Sequence, residues 1–260
     1  MNKLPISVCM VSSAEAHRIG KALESVVDWV HEIVVVLDDR TDDGTEQVIA
    51  RHGGKVFREA WKGFIGQKNS AAEKCSQPWL LNLDADEVVS DPLREELRAL
   101  FSNPGKLNAH AAYNFPRCTF YCGRWIRHGD WYPDRVLRLW QKPSARWAGE
   151  EPHAKLEVHG SIGRLRSDLL HASNESIARH VAKIIPYQEG FVRARLERGQ
   201  STGFFELGIR PLWRFVRAYF IRLGFLDGWP GLYIAGLNAF STLTRYSLVK
   251  EAELRQTPEK

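Results

Sequence analysis

Three carboxylates lie within four residues of one another in the segment Asn82-Leu83-Asp84-Ala85-Asp86-Glu87. An apolar run that begins at Trp79 ends here, so the acids follow a predicted buried strand. Side chains alternate along an extended chain, which places Asp84 and Asp86 on the same side. Two such carboxylates can share a Mg²⁺ or Mn²⁺ ion and leave coordination positions free for substrate phosphates. The pattern favours a divalent-cation site; the alternative is a cluster that caps a helix predicted at 92–101.

A second acidic segment follows another predicted strand. Ile33 to Leu37 is apolar throughout and too short for a helix, as in a parallel strand that is buried on both faces. It ends in Asp38-Asp39-Arg40-Thr41-Asp42-Asp43-Gly44-Thr45. The carboxyl ends of parallel strands share one edge of a sheet, and ligands of open α/β folds bind there. We therefore expect Asp38 and Asp84 to lie on one rim.

Strands and helices alternate over the first hundred residues. Periodicity predicts strands at 6–11, 33–37, 55–58 and 79–83, and helices at 15–30, 45–52, 66–75 and 92–101. Further strands are predicted at 111–121 and 135–141. This order is typical of an α/β protein with a mostly parallel sheet flanked by helices. We expect a catalytic domain at 1–175, with halves near 1–103 and 104–175, and a helical extension at 176–260.

The excess of positive charge lies in the last third of the chain. Residues 1–175 carry 23 Lys and Arg against 24 Asp and Glu, whereas residues 176–260 carry 13 against 7. Helices predicted at 176–198 and 211–225 interleave arginines with large apolar residues, and Asp227 to Gly231 predicts a turn. This basic amphipathic extension is typical of a hairpin packed on the catalytic domain or of a surface that contacts anionic lipid. The charge asymmetry favours the membrane surface.

Other classes of partner and location fit the sequence less well. The basic residues lie among large aliphatic side chains and no nucleic-acid-binding motif is present, so we expect no nucleic acid partner. The uncharged stretch between Asp227 and Arg245 has 17 residues and is interrupted by proline and glycine, so no spanning helix is expected there. The first residues lack the apolar core of a signal peptide.

Taken in order, these segments resemble the landmarks of the family 2 glycosyltransferases. The matching segments are Ile6 to Val11 with Glu15, Ile33 to Thr45, Gly66-Gln67-Lys68-Asn69 and Asn82 to Glu87. Pro133 to Leu139, Pro152-His153 and the tail are similar to the lipopolysaccharide-core β-glucosyltransferase type. The resemblance implies a GT-A (Rossmann-like) fold and inverting transfer of a hexose, most readily glucose, from a UDP-sugar. The implied acceptor is a lipid-linked saccharide, the heptose region of the lipopolysaccharide inner core, at the cytoplasmic face of a bacterial inner membrane.

The resemblance also implies roles for single residues. Asp38 receives the uracil, the segment around Ser12 flanks the nucleotide, and Lys68 lies near the nucleotide or its phosphates. Asp84 lies by the ribose and the donor sugar, and Asp86 holds Mg²⁺ or Mn²⁺ on the diphosphate. The sequence departs from the family at Asp39-Arg40, where a Ser-Gly pair is usual, and at Ala14, where Asn is common.

The general base is the harder assignment. An inverting transfer needs a carboxylate that takes the proton of the acceptor hydroxyl as its oxygen attacks the anomeric carbon. In similar sequences an acid follows the histidine of the Pro-His motif, but here that residue is Ala154. We favour Glu151 as the base, with Glu150 as its alternative. The missing acid leaves two alternatives open: a non-catalytic nucleotide-sugar or lipopolysaccharide-binding protein, and an enzyme that acts on another surface glycan or lipid carrier.

Histidine and arginine side chains complete the candidate set. His153, His159 and His171 have the chemistry of metal ligands, but a histidine is more often structural or at the surface. We expect only His153, beside the proposed base, to be functional. Arg135 and Arg138 are expected to line the acceptor side, where guanidinium groups bind phosphorylated sugars in a bidentate manner. The alternative is that both arginines are solvated on an edge strand.

Overall fold

The computed structural model describes residues 2–151, 153–172 and 176–256. They form two compact units, one of residues 2–118 and 134–172 and the other of residues 119–133 and 176–256. The segment 119–133 therefore belongs with the C-terminal helices, although the sequence placed it in the domain predicted at 1–175.

The elements follow the predicted alternation of strands and helices. The strands are β1 (Leu4–Ser12), β2 (Val30–Asp38), β3 (Lys55–Glu59), β4 (Trp79–Asn82), β5 (Glu87–Val89), β6 (Ala112–Tyr121), β7 (Arg124–Ile126), β8 (Asp134–Gln141), β9 (Ala145–Glu150), β10 (His153–Val158), β11 (Ile162–Arg164) and β12 (Leu169–His171). The helices are α1 (Ile19–Glu24), α2 (Thr45–Arg51), α3 (Gly63–Lys74), α4 (Asp91–Phe101), α5 (Pro104–Leu107), α6 (Ile177–Ala182), α7 (Glu189–Glu197), α8 (Arg210–Val216) and α9 (Gly228–Gln256).

The main sheet of the first unit has the order β3-β2-β1-β4-β8-β6-β12-β5. Strands β1 to β4 pair in parallel, whereas β8 runs antiparallel to both of its neighbours, β4 and β6. The expected α/β sheet flanked by helices is confirmed, with a parallel half formed by the first four strands and a half formed by the later ones that is mostly antiparallel, although β11 pairs with β6 in parallel. A separate hairpin pairs β9 with β10.

Two apolar layers cover the sheet because side chains alternate along each strand. On β1, Ile6, Val8 and Met10 pack into one cluster with α1 and α4. On the other face, Cys9 packs with Trp140 and Trp147 in a cluster that includes α3. All of these side chains are buried, which explains why the central strands have apolar residues at successive positions.

Helix α1 is shorter than the apolar pattern at 15–30 predicts. It ends at Glu24, and the next residue, Ser25, takes part in contacts outside the helix. The Ser25 hydroxyl accepts a hydrogen bond from the Val89 backbone N–H (3.1 Å), and the Ser25 carbonyl accepts one from the Trp29 indole (2.7 Å). These bonds hold the chain in turns as far as β2.

The second unit contains the end of β6, β7 and helices α6 to α9. Turns of π-helix precede and follow α8, at Phe205–Ile209 and Arg217–Ile221. The turn predicted at Asp227 to Gly231 is wrong, because α9 already begins at Gly228. Proline is tolerated in a first helical turn, and a Cβ on Gly231 would lie 1.9 Å from the Gly224 carbonyl oxygen, so only glycine fits there.

The length of α9 does not make it a membrane span. It has 29 residues, yet neither it nor another helix in the described ranges combines the length and the hydropathy that crossing a bilayer requires.

Candidate active site

The ends of three parallel strands form the rim of the candidate site. Strand β1 ends at Ser12, which is in register with Leu37 of β2, and Cys9 of β1 is in register with Asn82 at the end of β4. The carboxyl ends of these strands therefore lie at one edge of the sheet, which also carries Asp38 and leads directly into Asp84.

Asp84 lies between two basic side chains. The Lys68 ammonium is 3.1 Å from Asp84 Oδ1, and the Arg138 guanidinium is 2.5 Å from Asp84 Oδ2. Arg138 also donates to Asn82 Oδ1 (2.6 Å). Helix α3 supplies Lys68 and the antiparallel strand β8 supplies Arg138, so elements from both halves of the sheet hold the first acid of the motif.

Glu87 anchors this network inside the protein. Its side chain has no exposed surface; it accepts from Arg138 (2.7 Å), Arg117 (3.3 Å) and the Asp84 backbone N–H (3.1 Å). Arg117 in turn contacts Asp134 at 2.7 Å. Acids and bases thus alternate along the chain of contacts, and the sequence grouped Glu87 with the metal-binding acids without indicating this structural role.

The network changes the ionisation of its members. Burial opposes the charge on Asp84, but the charges of Arg138 and Lys68 outweigh it and hold the pKa of Asp84 well below its usual range. Burial likewise opposes the charge on Arg138, and Asp84 and Glu87 outweigh it, so the pKa of Arg138 is raised. Both groups are therefore charged at neutral pH, and Asp84 is an acceptor-only carboxylate.

Asp86 has different neighbours from Asp84. Its Oδ2 lies 3.5 Å from Arg18 Nη1 and 3.5 Å from His171 Nε2. Burial opposes ionisation, but the hydrogen bond and charge of His171 and the charge of Arg18 outweigh it, so the pKa of Asp86 is lowered. His171 was expected at a surface or structural position, and the structure brings it beside the acid of the cation-site prediction.

The donor atoms around Asp86 fit a divalent cation whose shell is completed by a substrate. A carboxylate oxygen suits Mg²⁺ and Mn²⁺, and a neutral imidazole nitrogen is a common metal ligand in proteins. Within the described ranges, no three His, Cys, Asp or Glu side chains are grouped closely enough to hold an ion by themselves. Asp86 and His171 are the two side chains at this position that could contribute ligands to such an ion.

The carboxylate of Asp38 accepts hydrogen bonds from a residue of its own loop, Arg40. The Arg40 guanidinium donates to both carboxylate oxygens, at 3.0 and 2.7 Å, and the Arg40 backbone N–H donates at 3.1 Å. These hydrogen bonds lower the pKa of Asp38 to about 2. Arg40 is one of the two residues that replace the usual Ser-Gly pair, and its side chain is 75% exposed, so it can leave Asp38 at little cost in buried surface.

Glu151 contacts the first turn of α3. Its Oε1 accepts from the Ile65 backbone N–H (2.8 Å). A Cβ on Gly63 would lie 2.6 Å from the same oxygen, so the approach of Glu151 depends on that glycine. Lys68 lies one helical turn beyond Ile65 on the same helix. Helix α3 therefore connects Glu151, which Ile65 contacts, with Asp84, which Lys68 contacts. Glu150, at the end of β9, is exposed, and the side chain of His153 lies outside the described part of the chain.

Helix α3 is also attached to β9 through the motif residues Lys68 and Asn69. The Asn69 side chain donates to the Trp147 carbonyl (2.9 Å) and accepts from the Trp147 N–H (3.0 Å). The Lys68 ammonium lies 4.5 Å from the centre of a Trp147 ring, within the range of a cation–π contact.

The two arginines of β8 have different surroundings. Arg138 is buried within the Asp84–Glu87 network, and β8 lies between β4 and β6, so the alternative of a solvated edge-strand position is wrong. Arg135 is exposed and donates from Nη1 to Asn114 Oδ1 and to the Leu165 carbonyl, both at 3.0 Å. Only Arg135 therefore presents its guanidinium group at the surface.

Solved structures place this architecture in a known class. The chain has a TM-score of 0.52 to the structure of S. aureus TarS 1-349 in complex with UDP-GlcNAc, at 13% identity, covering 98% of this chain and 93% of that one. It has the same TM-score to the mannosyltransferase PcManGT from Pyrobaculum calidifontis in complex with GDP-Man and Mn²⁺, at 12% identity, covering 99% and 88%. The fold is that of the GT-A glycosyltransferases.

The family follows from the sequence match. The model of glycosyl transferase family 2 matches residues 7–156, and the chain belongs to that family. It is 29% identical to the lipopolysaccharide core biosynthesis glycosyltransferase LpsC of Rhizobium meliloti, covering 95% of this chain and 94% of the relative. It is 28% identical to an uncharacterised glycosyltransferase of Rickettsia typhi, covering 96% and 88%.

Proposed function

We propose that this glycosyltransferase moves a hexose, most readily glucose, from a UDP-sugar to a lipid-linked saccharide with inversion at the anomeric carbon. The proposed acceptor is the heptose region of a lipopolysaccharide inner core, as the similarity to LpsC suggests. The observation that carries the proposal is the set of charged residues at the rim of the parallel sheet. Asp38 ends β2, Asp84 and Asp86 follow the end of β4, and Lys68 contacts Asp84 from helix α3.

Each rim residue has a proposed task that its contacts support. Asp38 accepts from the uracil once Arg40 has moved, and Ser12 flanks the nucleotide. Lys68 is held near the diphosphate by Asp84, at 3.1 Å, and Asp84 accepts from the ribose or the donor sugar. Lys68 is positive and only 12% exposed, so it stabilises the negative charge that develops on the departing diphosphate.

Asp86 and His171 are proposed to hold a Mg²⁺ or Mn²⁺ ion. When bound, the ion neutralises charge on the diphosphate leaving group. Arg18 Nη1 lies 3.5 Å from Asp86 Oδ2, and together with His171 it lowers the pKa of Asp86, so the carboxylate is ionised, as a ligand must be.

Glu151 is the proposed general base, with Glu150 as the alternative. The Ile65 backbone N–H donates to Glu151 Oε1 at 2.8 Å and holds this side chain at the first turn of α3, and the proposed task of its carboxylate is to accept the proton of the acceptor hydroxyl. Arg135 is proposed to contact phosphate groups of the acceptor. Arg138, being buried, is proposed to position Asp84, and His153 remains a predicted binding residue beside the base.

The second unit is proposed to bring the enzyme to the cytoplasmic face of the inner membrane as a peripheral protein. Of the 22 large apolar side chains that are exposed in the described ranges, 19 belong to this unit and three to the first unit. Apolar side chains concentrated in this way mark interaction surfaces.

The test is UDP release from UDP-glucose with a heptose-containing lipid A-core acceptor, with and without Mn²⁺. Glu151→Gln keeps an oxygen that can accept from Ile65 but removes the base, and we expect turnover to fall by about 10²- to 10⁴-fold. Glu150→Gln reports on the alternative, and Asp86→Asn should weaken the dependence on Mn²⁺. Glu157→Gln, an exposed position on β10, is the matched control.

The outcomes separate the candidate functions. Normal turnover in the Glu150→Gln plus Glu151→Gln double variant would refute the base assignment. Tight UDP-glucose binding without UDP release for any saccharide acceptor would favour a non-catalytic nucleotide-sugar-binding protein. Turnover with another lipid-linked glycan would keep the enzyme and replace the acceptor.

A further inference from the structure

The second unit contains a buried carboxylate that three arginines surround. The side chain of Asp130 is 2% exposed, and Arg214 Nε lies 2.7 Å from its Oδ2. Arg217 Nη2 and Arg222 Nη1 lie 2.8 and 3.5 Å from its Oδ1. One negative charge faces three positive ones, so the cluster carries a net charge of about +2.

The three arginines have more N–H donors than the carboxylate of Asp130 can accept. Each guanidinium carries five N–H groups, whereas a carboxylate has about four lone-pair positions. The arginine side chains are 42%, 31% and 47% exposed in sequence order, so their outer N–H groups reach solvent. The buried carboxylate thus orients guanidinium groups whose remaining donors face outward.

A second buried carboxylate fixes the segment that carries Asp130. Asp227, also 2% exposed, accepts from the backbone N–H groups of Arg127 (3.0 Å) and His128 (2.8 Å). The Gly129 N–H donates to the Arg222 carbonyl at 2.8 Å. The arginine cluster is therefore preorganised by contacts at both ends of residues 127–130, and preorganisation lowers the cost of binding.

Large apolar side chains surround the cluster in sequence and are exposed to solvent. Between residues 212 and 232, nine such side chains are at least 43% exposed. They are Leu212, Trp213, Phe220, Ile221, Leu223, Phe225, Leu226, Trp229 and Leu232, and we call them, with the three arginines, the arginine–apolar patch. Tryptophan next to arginine is typical of surfaces that enter the headgroup region of a bilayer.

We propose that Arg214, Arg217 and Arg222, held by Asp130, form a binding site for the phosphate of anionic lipid headgroups. The inference rests on the proposed function in one respect, the attachment of the second unit to a membrane, and adds the site that recognises the lipid. Guanidinium groups bind phosphate oxygens in a bidentate manner. A second copy of the chain fits the patch less well, because a symmetric contact would bring two positive clusters together.

The test is flotation of the full chain with vesicles of phosphatidylcholine, with and without phosphatidylglycerol, at physiological salt. Arg217→Gln plus Arg222→Gln should weaken binding to the anionic vesicles by about 30-fold, at about 1 kcal/mol for each arginine near the surface. The matched control, Arg51→Gln plus Arg166→Gln, removes the same charge from exposed positions of the first unit. It should change binding by less than about twofold, because neither of these arginines belongs to the cluster that Asp130 holds.

Asp130→Asn distinguishes an organised site from general charge attraction. The variant is more positive than the wild type, so general attraction predicts tighter binding, whereas loss of the organising carboxylate predicts weaker binding. Circular dichroism shows whether this variant is folded; if it is not, the double arginine variant decides the question. The proposal would be overturned if the double arginine variant and its control lost vesicle binding to the same extent. It would also be overturned if the wild type bound neutral and anionic vesicles equally well.

Further measurements distinguish a lipid from the other ligands that the arginine–apolar patch could bind, and separate failure of this site from failure of the proposed transferase function. If soluble glycerol phosphate displaces the protein from vesicles at low concentration, the site belongs to a free phosphate ligand instead of a lipid. If the wild type sediments as a dimer that the double variant breaks, and does not float, the patch is a self-association surface. UDP binding in the same preparations reports on the first unit, so failure of the lipid site leaves the proposed transferase function standing.

Discussion

Replacing Arg138 by methionine should expose how much the candidate site depends on one buried cation. Arg138 is 8% exposed and contacts Asp84 at 2.5 Å and Glu87 at 2.7 Å. Methionine preserves much of the apolar volume of the side chain but leaves both acids without this partner. The fully buried Glu87 then keeps, within the part of the chain that the structure describes, Arg117 at 3.3 Å and the Asp84 N–H.

The expected loss in the free energy of unfolding depends on the partners that Asp84 and Glu87 keep in the variant. Removing one partner of a buried ion pair costs about 3–5 kcal/mol, because an uncompensated charge stays in the interior. Asp84 is 37% exposed and retains Lys68 at 3.1 Å, so solvent and lysine replace part of the lost interaction. We therefore expect the free energy of unfolding to fall by about 3 kcal/mol at pH 7, the lower end of that range.

Acidification should narrow the difference between the variant and the wild type. The pKa of Asp84 is lowered in the folded protein, so its ion pairs stabilise the fold fully above about pH 3.9, the ordinary value. That stabilisation is lost as the pH falls through the lowered pKa of the folded state. Once Asp84 is protonated, Arg138 has less to contribute.

Urea unfolding followed by far-ultraviolet circular dichroism at several pH values measures both effects. Arg135→Met is the matched control on the same strand; it removes hydrogen bonds to Asn114 and Leu165 and should cost about 1 kcal/mol. A loss below about 1 kcal/mol for Arg138→Met, or a difference that widens on acidification, would refute the role of Arg138 as the electrostatic anchor of the site.

Two more predictions concern single carboxylates of the first unit. Arg40→Gln should strengthen UDP binding by about two- to fivefold in isothermal titration, since Asp38 no longer has to release an exposed arginine; unchanged or weaker binding would show that Arg40 does not compete with the nucleotide. The pKa of Glu32 is lowered from 4.5 to about 2, because hydrogen bonds from Ser7, Ser76 and Lys55 outweigh burial. Its contribution is therefore present above about pH 4.5 and lost towards pH 2. Glu32→Gln should be less stable than the wild type at pH 7, and the gap in urea unfolding should close over that window; a gap independent of pH would contradict the shift.

Periodicity predicted β1 to β4, β6 and β8, whereas β5 and β9 to β12 were not predicted. The central strands β1, β2 and β4 gave the clearest pattern, because they have apolar residues on both faces and end in a polar loop. The rim followed from the same pattern, since parallel strands bring Ser12, Asp38 and Asp84 to one edge. Local pattern did not predict where α1 ends, because the contacts of Ser25 with Val89 and Trp29 are tertiary. It also missed that α9 begins at Gly228, which depends on the close approach of Gly231 to Gly224.

The partners of the acidic motif depended on strand pairing across long separations in sequence. His171 lies beside Asp86 because β12 pairs with β5 in a register that places His171 opposite Glu87. Arg138 reaches Asp84 because β8 inserts antiparallel to β4, with Leu139 opposite Leu81. No spacing in the sequence indicates either register, so the histidine was expected at a structural or surface position and the arginine on the acceptor side or at a solvated edge.

The sequence by itself determined the class of fold, the family and the short acidic motif, because these depend on local periodicity and on residues close together in the chain. Only the tertiary structure decided which charges compensate the acids. Asp84 is held by Lys68 and Arg138, and Arg18 and His171 both lie 3.5 Å from Asp86 Oδ2. The physical reason is that a buried carboxylate must find its counter-charge in space, and the chain brings those partners from strands and helices distant in sequence.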